Sequence, residues 1–169
     1  MVGYQRAGQS CEACHFSTVP SDPYSYTFIL EPQISPFKLS FSVEAYGSSA
    51  MVGLSEDGTD QLVIIEILFG YQSERKKIAV RACMPQHCGD SGREFAMYED
   101  TSPVIIKGEY RPFWIHYAEG VVTAGKGDEQ QSLVEWDAGD HHGRVPTQLH
   151  IGISTWETGY GEWDFCNSI

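Results

Sequence analysis

An antiparallel, all-β sandwich of jelly-roll type is the fold this sequence predicts, and three observations predict it. Short runs rich in β-branched and aromatic residues recur along the chain, separated by Gly, Pro and Asp. From Phe113 to Phe165 the pattern is densest: Phe-Trp-Ile-His-Tyr, a Glu119-Gly120 turn, Val-Val-Thr-Ala, Leu-Val-Glu-Trp-Asp, Leu-His-Ile-Gly-Ile-Ser-Thr and Trp-Asp-Phe. No stretch longer than about ten residues carries helical spacing. Many short strands with turn chemistry between them make two packed sheets.

Residues 1–20 form a Gly/Ser/Gln-rich leader with a first cysteine pair, and residues 21–169 form the sandwich domain. Tyr24, Tyr26, Phe28 and Leu30 alternate with Ser25, Thr27 and Ile29 in a strand with one heavily apolar face, ended by Pro32 and Pro36. Phe37, Leu39, Phe41, Val43 and Ala45 alternate with Lys38, Ser40, Ser42 and Glu44, the period of a half-buried strand. Met51–Ser55 is a short strand, and the cluster from Glu56 to Asp60 is a turn. Leu62–Phe69 is nearly continuously apolar and reads as a strand buried on both faces. The charged tip 73–77 leads into Ile78–Ala82, and weaker strand patterns cover Phe95–Tyr98 and Val104–Lys107.

With 41% hydrophobic and 12% aromatic residues among 169, the chain can bury a core and is not disordered. Its formal net charge is −12, with 23 acids against 11 Lys and Arg. A field of that sign repels phosphate backbones and anionic lipid, so nucleic acid is not an expected partner. The run Leu62–Phe69 is interrupted by Glu66 and too short to span a bilayer, so no membrane insertion is expected. Met1-Val2-Gly3-Tyr4 has neither the basic start nor the apolar core of a signal peptide, so localisation must be read from the cysteines.

Five cysteines stand at 11, 14, 83, 88 and 166. Cys11-Glu-Ala-Cys14-His15 matches the c-type haem attachment pattern, but Ser, Pro and Asp follow it where a helix would be wanted. The spacings C-x2-C and C-x4-C would let Cys11, Cys14, Cys83 and Cys88 hold zinc. Disulfides are the favoured reading: Cys83–Cys88 around a small loop, and Cys166 to Cys11 or Cys14, stapling edge strands at the two ends of the chain. One thiol is then left over, available for an intermolecular bond. Disulfides imply a secreted or extracellular protein.

Four segments in the first half are Phe-Ser-Val-Glu-Ala (41–45), Val-Gly-Leu-Ser (52–55), Ile-Ile-Glu-Ile-Leu-Phe-Gly (64–70) and Ile-Ala-Val-Arg (78–81). The second half carries Pro-Phe-Trp-Ile (112–115), Glu-Gly-Val-Val-Thr-Ala-Gly-Lys-Gly (119–127), Glu-Trp-Asp (135–137) and the stretch 151–165. Through these pieces the chain resembles the farnesoic acid O-methyltransferase domain family. The resemblance implies an extracellular β-sandwich module, found alone or within larger secreted and cell-surface proteins. Its name implies methyl transfer from S-adenosylmethionine, which needs a strand, a Gly-rich turn and a helix facing the cofactor. Gly125-Lys126-Gly127 and Gly159-Tyr160-Gly161 are the close glycine pairs after strands, and strand-like sequence follows both.

Trp114 and Trp163 sit mid-strand and read as core. Trp156, Glu157 and Tyr160 flank a turn, where rings can stack on sugar C–H faces and carboxylates can take hydroxyls. Asp137, Asp140 and His141 lie in a His/Gly loop whose oxygens suit calcium and whose imidazoles suit zinc or copper, against the simpler reading of a solvated turn. Glu135 and Asp137 can share a strand face, and His116 and His150 alternate with apolar neighbours, but no nucleophile stands beside them. The expected function is a non-catalytic recognition module that binds carbohydrate, with no required cofactor. A protein-binding adhesion or assembly domain is the alternative, and a methyltransferase is third.

Overall fold

The computed structural model describes residues 14–72, 74–83, 94–127, 129–156 and 158–166. Two antiparallel sheets face one another. In spatial order the six-stranded sheet is β1 (His15–Thr18), β13 (Tyr160–Asp164), β4 (Phe37–Tyr46), β9 (Arg111–Ala118), β10 (Val121–Lys126) and β11 (Val134–Asp137). The seven-stranded sheet runs β2 (Thr27–Phe28), β12 (Gln148–Thr155), β5 (Ala50–Ser55), β6 (Val63–Tyr71), β7 (Lys77–Ala82) and β8 (Glu94–Glu99), with β3 (Gln33–Ile34) pairing the start of β12. The first and last described strands are neighbours, β1 at the sheet edge and β13 beside it.

Period-2 alternation decides which residues fill the space between the sheets. Phe37, Leu39, Phe41, Val43 and Ala45 of β4 point inward, as do Phe113, Ile115 and Tyr117 of β9. From the other sheet come Val52 and Leu54 of β5, Ile65, Ile67 and Phe69 of β6, and Ile151 and Ile153 of β12. Phe41 is the hub: its ring lies 5.2–6.1 Å from those of Phe69, Phe113, Trp163 and Phe165, while Phe69 and Phe113 meet across the layers at 4.5 Å. Edge-to-face and offset pairs of this kind add to the area they bury.

The β9–β10 hairpin turns at Glu119-Gly120, both with positive φ (51° and 86°), the backbone of a type I′ turn. The expected buried strand is β6, in which Val63 to Gly70 are all buried. Trp114 and Trp163 are 5% and 1% exposed, as core residues should be. Trp114 reaches this burial on the outer side of its sheet, lying flat over Gly125 and donating its indole N–H to Glu129 O at 2.8 Å.

Four details depart from the sequence expectation. The end of the leader is part of the sandwich, because β1 pairs along the edge of β13. The strand expected over Tyr24–Leu30 shrinks to Thr27–Phe28, since Tyr24 and Tyr26 turn away to reach Glu66. Val104–Lys107 makes only an Ile106↔Glu109 bridge, while Val104 and Ile105 plug the core. Residues Ala138–His142 form a five-residue helix, α1, whose start Asp137 caps and after which Gly143 adopts the left-handed conformation.

Candidate functional site

The residues nominated from sequence separate into two groups. Asp137, Asp140 and His141 lie where the β9–β10 hairpin turns, since Ala138 and Gly139 N–H both donate to Gly120 O. Asp137 Oδ1 accepts from Asp140 N–H at 2.9 Å, and His141 rests against the Trp136 ring at 5.4 Å. Trp156 and Tyr160 lie at the other end of the sandwich, eight residues of β12 away, roughly 25 Å at strand rise. They also face opposite ways. Trp156 packs on the outer face of the seven-stranded sheet and Tyr160 on that of the six-stranded sheet. Glu157 lies outside the described residues. His116 and His150 likewise fall on different sheets, whereas Glu135 and Asp137 share the exposed side of β11.

The outer face of the seven-stranded sheet is covered by the chain itself. A cross-strand row runs Gly152, Gly53, Glu66, Arg81. The two glycines leave room for the Tyr26 ring, which a Cβ at Gly53 would meet at 2.8 Å. Tyr26 and Tyr24 donate their hydroxyls to Glu66 Oε1, the latter at 2.9 Å. Arg81 donates to Glu66 Oε2 through Nε at 2.9 Å and Nη2 at 2.5 Å. Trp156 covers this network, 5.1 Å from the Tyr24 ring and 5.9 Å from the Arg81 guanidinium. Burial and the Glu66 charge together push both tyrosine hydroxyls well above their ordinary pKa. Burial opposes the Arg81 charge, but Glu66 and the two tyrosines together outweigh it and raise the guanidinium pKa.

The outer face of the six-stranded sheet has a different character. Tyr46 and Tyr160 are cross-strand partners stacked at 5.1 Å and 14°, with Lys107 Nζ 5.2 Å from the Tyr46 ring centre and Tyr160 44% exposed. The next row pairs Glu162 with Glu44, and the one after pairs Asp164 with Ser42. Glu44 Oε1 accepts from Gly108 N–H at 2.9 Å and Glu162 Oε2 from Ser17 Oγ at 2.7 Å, which fixes both carboxylates. Tyr110 stands near all three acids: burial and then the charges of Glu162, Glu44 and Asp164 raise its pKa.

Alongside runs a groove of about 260 Å³ lined by Ser40, Ser42, Pro112 and Asp164. Over Pro112, Phe113 and Gly127 it adjoins a cleft of about 270 Å³ where Lys126 pairs with Asp100 beside Arg111 and Glu129. The pair holds the Asp100 carboxyl below and the Lys126 amine above their ordinary values. Sequence reading found the polar phase of β4 and the exposed Tyr160, but not the register that sets Glu44 beside Glu162. That register is set by the partner strand, whose paired residues lie 114 or more positions away in the chain, so no local signal carries it.

The cysteines bear on location and metals. Cys14 and Cys166 are disulfide-bonded with Cα atoms 5.0 Å apart, the expected link between the chain ends. While it is held in this disulfide, Cys14 offers no thiolate to a zinc set with Cys11, Cys83 and Cys88, of which Cys11 and Cys88 lie outside the described residues. Cys83 is also disulfide-bonded, and its expected partner Cys88 lies outside the described residues. Among the described residues no helix is long and apolar enough to cross a membrane.

The sequence pattern described as farnesoic acid O-methyltransferase matches residues 22–168. No curated protein matches the sequence. In fold, the chain is similar to a carbohydrate-binding module, CBM66 from Bacillus subtilis, at 10% identity and a TM-score of 0.59, covering 85% of this chain and 83% of that one. A Bacillus subtilis protein of unknown function with a galectin-like fold aligns at 12% identity and a TM-score of 0.57, covering 89% and 86%. The exoplasmic/lumenal domain of VIP36, in its Ca2+/Man-bound form, aligns at 8% and 0.51, covering 90% and 83%. These likenesses show the fold, a two-sheet β-sandwich shared with galectin-like and carbohydrate-binding-module structures.

Proposed function

The chain belongs to the farnesoic acid O-methyltransferase family, and we propose that it serves as a non-catalytic, extracellular module that binds carbohydrate. One observation carries the reading. The outer face of the six-stranded sheet carries a stacked tyrosine pair, Tyr160 exposed and Tyr46 half-buried, in line with fixed carboxylates and with a groove at the Ser42–Asp164 row. Sugars stack apolar C–H faces on such rings while carboxylates accept their hydroxyl protons. The hydrogen bonds from Gly108 and Ser17 hold Glu44 and Glu162 in place before a ligand arrives, which lowers the entropic cost of binding.

Ligand class follows from charge. Glu44, Glu162 and Asp164 lie close together on a protein of net charge −12, so neutral glycans bind in preference to sialylated or sulfated ones. Of the residues nominated from sequence, Tyr160 belongs to this face; Trp156, Asp137, Asp140 and His141 have structural partners elsewhere. Disulfide bonding supports a secreted or lumenal setting.

The family name points to methyl transfer, and the glycine pairs that could cradle its cofactor do not open helices. Gly125 lies inside β10 beneath Trp114, and Gly161 inside β13 beside Thr18. A glycan array paired with calorimetric titration of S-adenosylmethionine tests the reading. Neutral glycans are retained on the array and the cofactor gives no heat. Micromolar cofactor binding would favour the enzyme, and silence in both would favour a protein partner.

A further inference from the structure

The disulfide that joins the chain ends has two more metal-binding side chains beside it. His15 Nε2 lies 3.4 Å from Cys166 Sγ, and its Nδ1 lies 3.9 Å from Asp164 Oδ1. One ligand atom from each of Cys14, His15, Asp164 and Cys166 falls within 4.8 Å of every other. Backbone pairing places them independently of the sulfur–sulfur bond. His15 and Asp164 are direct cross-strand partners. Phe165 N–H donates to Cys14 O at 2.9 Å, and Cys166 N–H to Asp164 Oδ1 at 2.8 Å.

We propose that reduction of this disulfide converts the cluster into a tetrahedral zinc site, with the Cys14 and Cys166 thiolates, the His15 imidazole and the Asp164 carboxylate as ligands. A dithiol reductant supplies two electrons and two protons. It is oxidised to its own disulfide as the Cys14–Cys166 bond breaks into two thiols. Zinc then forms two Zn–S bonds, and the two thiol protons pass to solvent. Around tetrahedral zinc, ligand nitrogen and sulfur stand about 3.5 Å apart and two sulfurs about 3.8 Å. The His15–Cys166 spacing of 3.4 Å already meets the first requirement. Rotation of the two cysteine side chains meets the second while the β1–β13 ladder stays paired. His15 is exposed and the other three are half-buried, so reductant and ion approach from solvent. The same four residues thus clasp the chain ends covalently under oxidising conditions and through zinc under reducing ones.

The full chain is reduced with a dithiol, freed of reductant without air, and titrated with Co2+ as a spectroscopic stand-in for zinc. The expected result is one equivalent bound with thiolate-to-cobalt charge transfer and tetrahedral visible bands, displaced by zinc. Oxidised protein gives neither band. His15→Ala and Cys166→Ser each weaken binding by at least about tenfold. No charge-transfer band in the reduced wild type would overturn the proposal. So would a band undiminished in both variants, because it would arise from Cys11, Cys83 or Cys88. If the reduced apo-protein loses its β-sheet circular dichroism, zinc must restore it, and failure to do so refutes the site.

Discussion

Glu66 is fully buried in the middle of β6, and every oxygen it presents is occupied by Tyr24, Tyr26 or Arg81. A charge pair taken out of water this far gives little net stability, but removing one member strands the other. Glu66→Ala should therefore cost about 3–5 kcal/mol in urea unfolding, whereas Glu66→Ala combined with Arg81→Met should recover much of that loss. A single-variant cost below about 1 kcal/mol would contradict the network's role. A second residue, His142, is half-buried beneath Ile64 O, and burial is the main cause that lowers its pKa below 6.5. Its unfolded form binds a proton more readily than its folded form. The stability it contributes is complete above about pH 6.5 and is lost as pH falls through the lowered folded value. Denaturation midpoints measured from pH 7.5 down to 4.5 should fall less steeply in His142→Gln than in the wild type.

At the level of elements, β1 shows how a short edge strand is kept in place. It has four residues, pairs only with β13 among the described strands, and is tied by the Cys14–Cys166 bond across 152 positions. Closing a loop of that length constrains the unfolded chain, and the Cys14→Ser/Cys166→Ser variant should lose roughly 3–5 kcal/mol, with faster hydrogen exchange at the β1 amides. The Tyr24–Phe28 segment depends on small neighbours instead. Gly53→Ala and Gly152→Ala would each place a Cβ within 2.9 Å of Tyr26, whose hydroxyl is held by Glu66 and cannot give way. A loss of about 1–3 kcal/mol is expected for either. The same elements mark how much was legible in sequence. The alternating β4 and apolar β6 were readable because burial imposes its period on consecutive residues. Thr27–Phe28 was not, because the pull on Tyr24 and Tyr26 comes from Glu66, 40 or more residues on. Asp137 and Gly143 carried the capping signals of α1, yet five residues are too few to show helical period.

The whole molecule is a sandwich with two unlike outer faces. One is sealed by tyrosines and Trp156 over an ion pair; the other presents tyrosines, acids and serines to solvent. Sequence reading placed aromatic and acidic residues at loops, and the structure sends Trp156 and Tyr160 to opposite faces, because the chain crosses from one sheet to the other between them. The fold was legible from local periodicity, while the site depends on which strands become neighbours. Calorimetric titration of the best neutral glycan from the array into wild type, Tyr160→Ala and Trp156→Ala tests the central claim most directly. Tyr160→Ala should weaken binding by about tenfold or more, on the order of 1–2 kcal/mol for a lost stacking ring, and Trp156→Ala should leave the affinity nearly unchanged. Full affinity in Tyr160→Ala with loss in Trp156→Ala would place the ligand on the other sheet and contradict the account.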